Sequence, residues 1–156
     1  MKKILERQVV FNLALSLLAW LARRPRLDSL TRWLTKKLAQ LNLALNQPPT
    51  ASDAASLAKV WQQLMPPDGR HHFPIKSTQD GTAFTEIHLH CPLRGTGRVD
   101  ACHKLMNYDR QLIKAQGGQL IVLESQSNSG KSYCRLAIRP KGQSISDLTP
   151  AYSQKK

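Results

Sequence analysis

Residues 73–91 read FPIKSTQDGTAFTEIHLHC. Apolar and polar residues alternate on both sides of Asp80-Gly81, and Asp-Gly between two alternating runs is a strong signal for a two-residue hairpin. Phe73–Thr78 and Thr82–Cys91 are therefore expected to be strands. In the second strand Thr85, Ile87, Leu89 and Cys91 fall on one face, and Glu86, His88 and His90 on the other.

The chain beyond the hairpin alternates between the two periods. Pro92–Gly97 reads as a loop. A helix is expected from about Val99 to Gln116, with Val99, Cys102, Met106 and Ile113 on its buried side and Gly117-Gly118 closing it. Gln119–Gln126 (QLIVLESQ) reads as a third strand and Ser132–Arg139 (SYCRLAIR) as a fourth, with Cys134, Leu136 and Ile138 inward. Pro140 ends it, and residues 144–156 are polar enough to be a flexible tail.

Upstream the period is helical throughout. Residues 4–22 are apolar on most sides, with a narrow stripe of Gln8, Asn12, Ser16, Ala19 and Arg23. Such a helix belongs inside protein or lipid. Pro25 breaks the chain, and Asp28 or Ser29 can cap a second helix, which Gln47-Pro48-Pro49 stops. Its Leu30, Trp33, Leu34, Leu38, Leu41 and Leu45 recur at helical spacing, with Arg32, Lys36 and Lys37 on the polar side. A third helix opens at Thr50 or Ser52, buries Leu57, Val60, Trp61 and Leu64, and ends before the turn at residues 66–69. The expected class is α+β in the order ααα-ββ-α-ββ: a four-stranded antiparallel sheet with one helix between its second and third strands. Residues 1–47 form a basic helical segment and residues 50–143 the α+β domain.

The net charge is +13, of which residues 1–47 contribute +7. That excess points to a polyanion, nucleic acid or anionic lipid. With nine aromatics in the chain, none of them a stacking pair on a strand, nucleic acid is the poorer fit. The basic helices fit a homodimer seam or an anionic membrane surface better. Val9–Ala22 falls short of the roughly 20 apolar residues of a span and contains Asn12. Glu6 in the charged region and Arg23-Arg24-Pro25 after Ala22 argue against a signal peptide. Three cysteines suit a reducing compartment. The expectation is a cytoplasmic bacterial protein, peripheral at the inner membrane face.

The same three cysteines are the candidates for chemistry. Cys91, Cys102 and Cys134 come from three different elements, and each points to the apolar side by its local period. They are either small core hydrophobes or ligands that meet where helix and sheet pack. His88, His90, His103 and Glu124 could complete a set. Zinc wants four S, N or O ligands, and a thiolate trio also suits an iron–sulfur cluster. His71-His72 follows a turn and reads as a surface pair. Residues 127–132 (SNSGKS) imitate the end of a phosphate loop. That loop needs glycine at the Ser125 position and a helix afterwards, where a strand is expected.

Cys91-Pro92, Cys102 with Met106 and Tyr108-Asp109 on a helix, and Gly130 four residues before Cys134 resemble two related families. One is the L-2-amino-thiazoline-4-carboxylic acid hydrolase-like family. The other is the 4-vinyl reductase, or hydrocarbon-binding, domain. The resemblance covers roughly residues 84–140. The second family implies zinc held by Cys102, Glu124 and Cys134, with Ser127 standing where a further cysteine is expected. The first implies a small-molecule pocket and ring-opening hydrolysis, with Cys91-Pro92 and Asp109 matching its pattern.

Three functions follow as expectations. The first is a sensor or carrier of a small ligand, built on a zinc or iron–sulfur site at Cys91, Cys102 and Cys134 with Glu124 or His103. The second is a metal-dependent hydrolase of a small C–N or C–S compound, with Asp109 or Glu124 handling protons. The third is a peripheral membrane or interaction protein that uses the basic helices.

Overall fold

The computed structural model describes residues 2–154. The side chains of residues 1–8 and Val10 lie outside what is described, and so do Lys155 and Lys156. The basic Lys2, Lys3 and Arg7 of the N-terminal segment are among them.

The fold is α+β. Helices α1 (Lys2–Ala22), α2 (Asp28–Asn46) and α3 (Ala54–Gln63) precede the hairpin of β1 (Ile75–Gln79) and β2 (Thr82–Ile87). Helices α4 (Val99–Leu105) and α5 (Asn107–Ala115) come next, then β3 (Gly118–Glu124) and β4 (Cys134–Pro140). The sheet is fully antiparallel in the order β1-β2-β4-β3, so β4 inserts between the first hairpin and β3.

Two expected details change. The single helix between the second and third strands is two helices. They meet at Met106, whose ψ of 0° opens the ladder. The break lets α4 pack against α1 and α2 while α5 lies on β3 and α2. The second strand also stops at Ile87, which leaves Cys91 in the following loop.

Local chemistry explains the elements. Asp80 and Gly81 have φ of 48° and 69°, the left-handed pair that a tight hairpin turn demands. The third helix is capped one residue later than expected. The Asp53 carboxylate accepts from the Ser56 amide at 2.9 Å, and the Ser56 hydroxyl accepts from the Asp53 amide. Gly118 opens β3 where a Cβ would sit 2.8 Å from Ile113 and 2.9 Å from Leu57, so only glycine lets the sheet approach both helices.

The core lies between the sheet and α3 and α5. Ala83, Ile138 and Leu120 form one cross-strand row, and Thr85, Leu136 and Val122 the next. Trp61 of α3 is fully buried against them, with its edge on Phe73 at a centroid distance of 5.6 Å. The C-terminal segment starts on the outer face of the sheet and ends against α4 and β3. The Arg139 guanidinium grips Asp147 through two bonds of 2.7 and 2.6 Å and donates to the Thr82 hydroxyl. Ala151 is buried and Gln154 donates to the Leu123 carbonyl. Residues 144–154, read from composition as a flexible tail, are thus a strap tied to the domain.

Candidate functional site

Two regions compete. The first is the thiol end. Ser125, Gln126 and Ser127, between β3 and β4, are each 1% exposed and form its hub. The Ser125 hydroxyl donates to Cys102 Sγ at 3.0 Å, and the Gln126 amide N–H donates to Cys134 Sγ at 3.4 Å. The Gln126 side chain accepts from the Cys91 amide and donates to the Leu89 carbonyl at 2.7 Å. Cys91 Sγ accepts from the Leu93 amide. The Cys102 and Cys134 thiols and the Cys91 backbone therefore gather around one tripeptide.

Their chemistry is quiet. Burial pushes Cys102 up to about 11 and Cys134 up to about 12, and burial raises Cys91 as well. Burial thus opposes the thiolate form that a nucleophile needs. The remaining candidates do not converge on them. An irregularity in the β3–β4 register between Val122 and Glu124 turns Glu124 away from the face of Leu120 and Val122, opposite Arg135. A one-residue irregularity reverses which side of a strand a residue occupies. Glu124 there accepts from Lys131 Nζ at 2.7 Å. The Ser127 hydroxyl is bonded to Ser125 at 2.8 Å. Among the described residues no three His, Cys, Asp or Glu side chains are placed to hold a metal ion. The zinc set that the resemblance implies, Cys102 with Glu124 and Cys134, is not assembled by this geometry.

The proton-handling candidates are also apart. Asp109 is buried on the helix side and accepts from Trp61 Nε1 at 2.9 Å. Burial raises its carboxyl to about 6, against the pull of the Trp61 bond and Arg110. Glu124 is on the outer face. His103 rests on the Tyr152 ring at 4.4 Å, and burial, then Arg110 and Arg32, hold it down at about 4. His88 is exposed and pairs with Glu86 at 2.8 Å, His90 is exposed, and the His71 and His72 rings touch at a tilt of 43° with centroids 3.9 Å apart. A cavity beside Cys102, lined by Val99, His103, Val122, Ser125, Ala151 and Tyr152, has about 10 Å³ of free space. That is room for about one water.

The second region is the N-terminal helix pair, and there the geometry is open. Of the six apolar residues read at helical spacing in α2, four are exposed and two, Leu34 and Leu38, are half-buried. Trp33 is 56% exposed and Leu45 75%, with Leu30 and Leu41 also exposed. The buried residues are Thr31, Thr35 and Ala39. The spacing of four at 31, 35 and 39 marks a second face, and it was the signal that the leucine periodicity obscured. The threonines can be buried because they bond within their own helix, Thr31 to the Leu27 carbonyl at 2.9 Å and Thr35 to the Thr31 carbonyl at 2.8 Å.

The seam beneath α2 is polar. Lys104 Nζ, nearly buried, donates to Asp28 at 2.6 Å. Asn107 donates to the Thr35 hydroxyl at 2.9 Å, and Asn42 donates to the Leu64 carbonyl and to the Tyr108 hydroxyl. Helix α1 follows the same pattern. Ala19 and Ala22 are buried against the domain while Val9, Leu13, Leu17 and Trp20 are exposed. These four recur at intervals of four, four and three, so they form one stripe. Basic residues border both stripes. Arg24 lies over the Trp20 ring at 3.8 Å, and Arg26, Arg32, Lys36 and Lys37 are exposed. Among the described residues no helix is long and apolar enough to cross a membrane.

No protein-family model matches the chain, and neither a curated protein nor a solved structure matches it.

Proposed function

We propose that this protein is a docking protein whose helix pair α1–α2 is a preformed attachment face and whose α+β domain is the body it attaches. The observation that carries the reading is the inverted burial of α2: Thr31, Thr35 and Ala39 inside, Leu30, Trp33, Leu41 and Leu45 outside. A helix that only had to fold onto its own domain gains most by burying its leucines. This one leaves Leu30, Trp33, Leu41 and Leu45 for a second apolar phase. Covering the half-exposed side chains of both stripes is worth on the order of 8 kcal/mol. That is comparable with the cost of association, which starts at about 4 kcal/mol.

A neutral detergent micelle offers an apolar phase without charge and tests the face alone. The full chain is expected to co-migrate with maltoside micelles in size-exclusion chromatography with light scattering. Leu41→Gln/Leu45→Gln combined with Leu13→Gln/Leu17→Gln is expected to leave the circular dichroism unchanged and abolish co-migration. Equal micelle binding by the folded variant would remove the helix pair from this role.

A further inference from the structure

Resting on the docking reading, we infer that the phase that covers the α1–α2 face is the interface of an anionic lipid bilayer, with both helices lying in its plane. Three features select a bilayer over a second protein surface.

The first is the composition of the two sides. The residues buried against the domain are small or hydroxyl except Leu21, with Leu15, Leu18 and Leu43 half-buried beside them, while the most exposed apolar residues are leucine, valine and tryptophan. Helices packed in an apolar solvent show this arrangement: small residues allow close approach, polar residues bond across the seam, and long apolar side chains meet lipid. The Asn107–Thr35 and Asn42–Tyr108 bonds are such a seam.

The second is Lys37. It is exposed, and although expected on the polar side it falls by helical spacing on the leucine stripe, four residues from both Trp33 and Leu41. At the centre of a protein interface its ammonium would be desolvated without a partner, and interface cores are depleted in such residues. At a bilayer surface the stem lies along the acyl chains while the ammonium reaches the headgroups.

The third is the sign of the charge. Arg24, Arg26, Arg32 and Lys36 are exposed around the stripes, and the acid among them, Asp28, is taken up by Lys104. Two copies joined through this face would bring like charges together, whereas anionic headgroups neutralise them. Trp20, with Arg24 over its ring, and Trp33 stand beside these cations, as aromatic residues do at headgroup level. Because neither helix spans, a flat interfacial seat is the geometry that fits.

The test is flotation of the full chain with vesicles of phosphatidylcholine alone and of phosphatidylcholine containing a third phosphatidylglycerol. Binding to the anionic vesicles is expected to exceed binding to the neutral ones at least tenfold at low salt and to fall as salt is raised. Lys36→Gln/Lys37→Gln is expected to weaken it about thirtyfold, roughly fivefold for each charge. Equal binding to both vesicle types would overturn the anionic-bilayer inference. So would a vesicle-free dimer that Leu41→Gln/Leu45→Gln dissociates, and either result would leave the docking face standing. Loss of micelle and vesicle binding alike, with no self-association, would overturn both.

Discussion

Helices α2 and α3 follow one another in the chain, are both amphipathic, and are turned opposite ways. Helix α3 buries Leu57, Val60 and Trp61 and shows its polar side to water. Helix α2 buries Thr31, Thr35 and Ala39 and shows Leu30, Trp33, Leu41 and Leu45. The difference is what each packs against. Helix α3 faces the apolar rows of β2 and β4, while α2 faces Lys104, Asn107 and Tyr108 on α4 and α5. Where the neighbouring surface offers hydrogen-bonding groups, the side of the helix with matching groups goes down. The apolar side is then left for something outside the chain.

The largest break in the comparison comes from two tryptophans. Trp61→Ala opens a cavity in the core and is expected to cost about 3–5 kcal/mol, whereas Trp33→Ala is expected to stay within about 0.5 kcal/mol. Urea unfolding in the absence of lipid measures both. Similar losses at the two sites would mean that α2 is buried by its leucine side after all.

A smaller effect sharpens the polar seam. Thr35→Val keeps the shape of the side chain and removes the nearer acceptor of the Asn107 amide, leaving the Arg32 carbonyl at 3.4 Å, at an expected cost of about 1 kcal/mol. Thr35→Leu overfills the same contact and is expected to cost about 1–3 kcal/mol. Stabilisation by Thr35→Leu would show that the seam prefers apolar contact and that the orientation of α2 is not set by its polar side.

The acid side of the stability profile separates buried Asp109 from half-buried His103. Asp109 is raised from 3.8 to about 6, so the folded state holds its proton more tightly, and this contribution makes stability fall as pH rises from about 4 to 6. His103 is lowered from 6.5 to about 4, so the unfolded state takes the proton first, and this contribution makes stability rise across the same window. The two oppose each other in the wild type. Asp109→Asn is expected to leave a stability that rises between about pH 4 and 6.5, and His103→Gln one that falls between about pH 4 and 6. Unfolding midpoints measured across that range read the two signs, and unchanged slopes in both variants would remove these groups from the account.

The hairpin was legible because Asp80-Gly81 tolerates only one turn geometry, and the rows of β2 and β4 followed from strict alternation. The third helix was legible because its polar and apolar sides leave one way to pack. The orientation of α2 was not. Its leucine periodicity says that one side is apolar, and only the Lys104, Asn107 and Tyr108 groups of distant helices decide that this side faces outward. Cys102 and Cys134 are inward, as their local periods say, whereas Cys91 sits half-buried in a loop beyond its expected strand. What the alternation could not show was the irregularity after Val122, which sends Glu124 to the opposite face and separates it from the thiols. The hub at Ser125–Ser127 was equally hidden, because Ser125 and Gln126 read as the end of a strand until their bonds to sulfur are seen.

Quenching of tryptophan emission by vesicles with brominated acyl chains reports most directly on where the helix face lies. Trp20 and Trp33 are exposed on α1 and α2, and Trp61 is sealed in the core. With anionic brominated vesicles the wild type is predicted to lose much of its emission, while Trp20→Phe/Trp33→Phe, which keeps Trp61 alone, stays bright. No quenching in the wild type, or equal quenching in the double variant, would contradict the placement of this face in lipid.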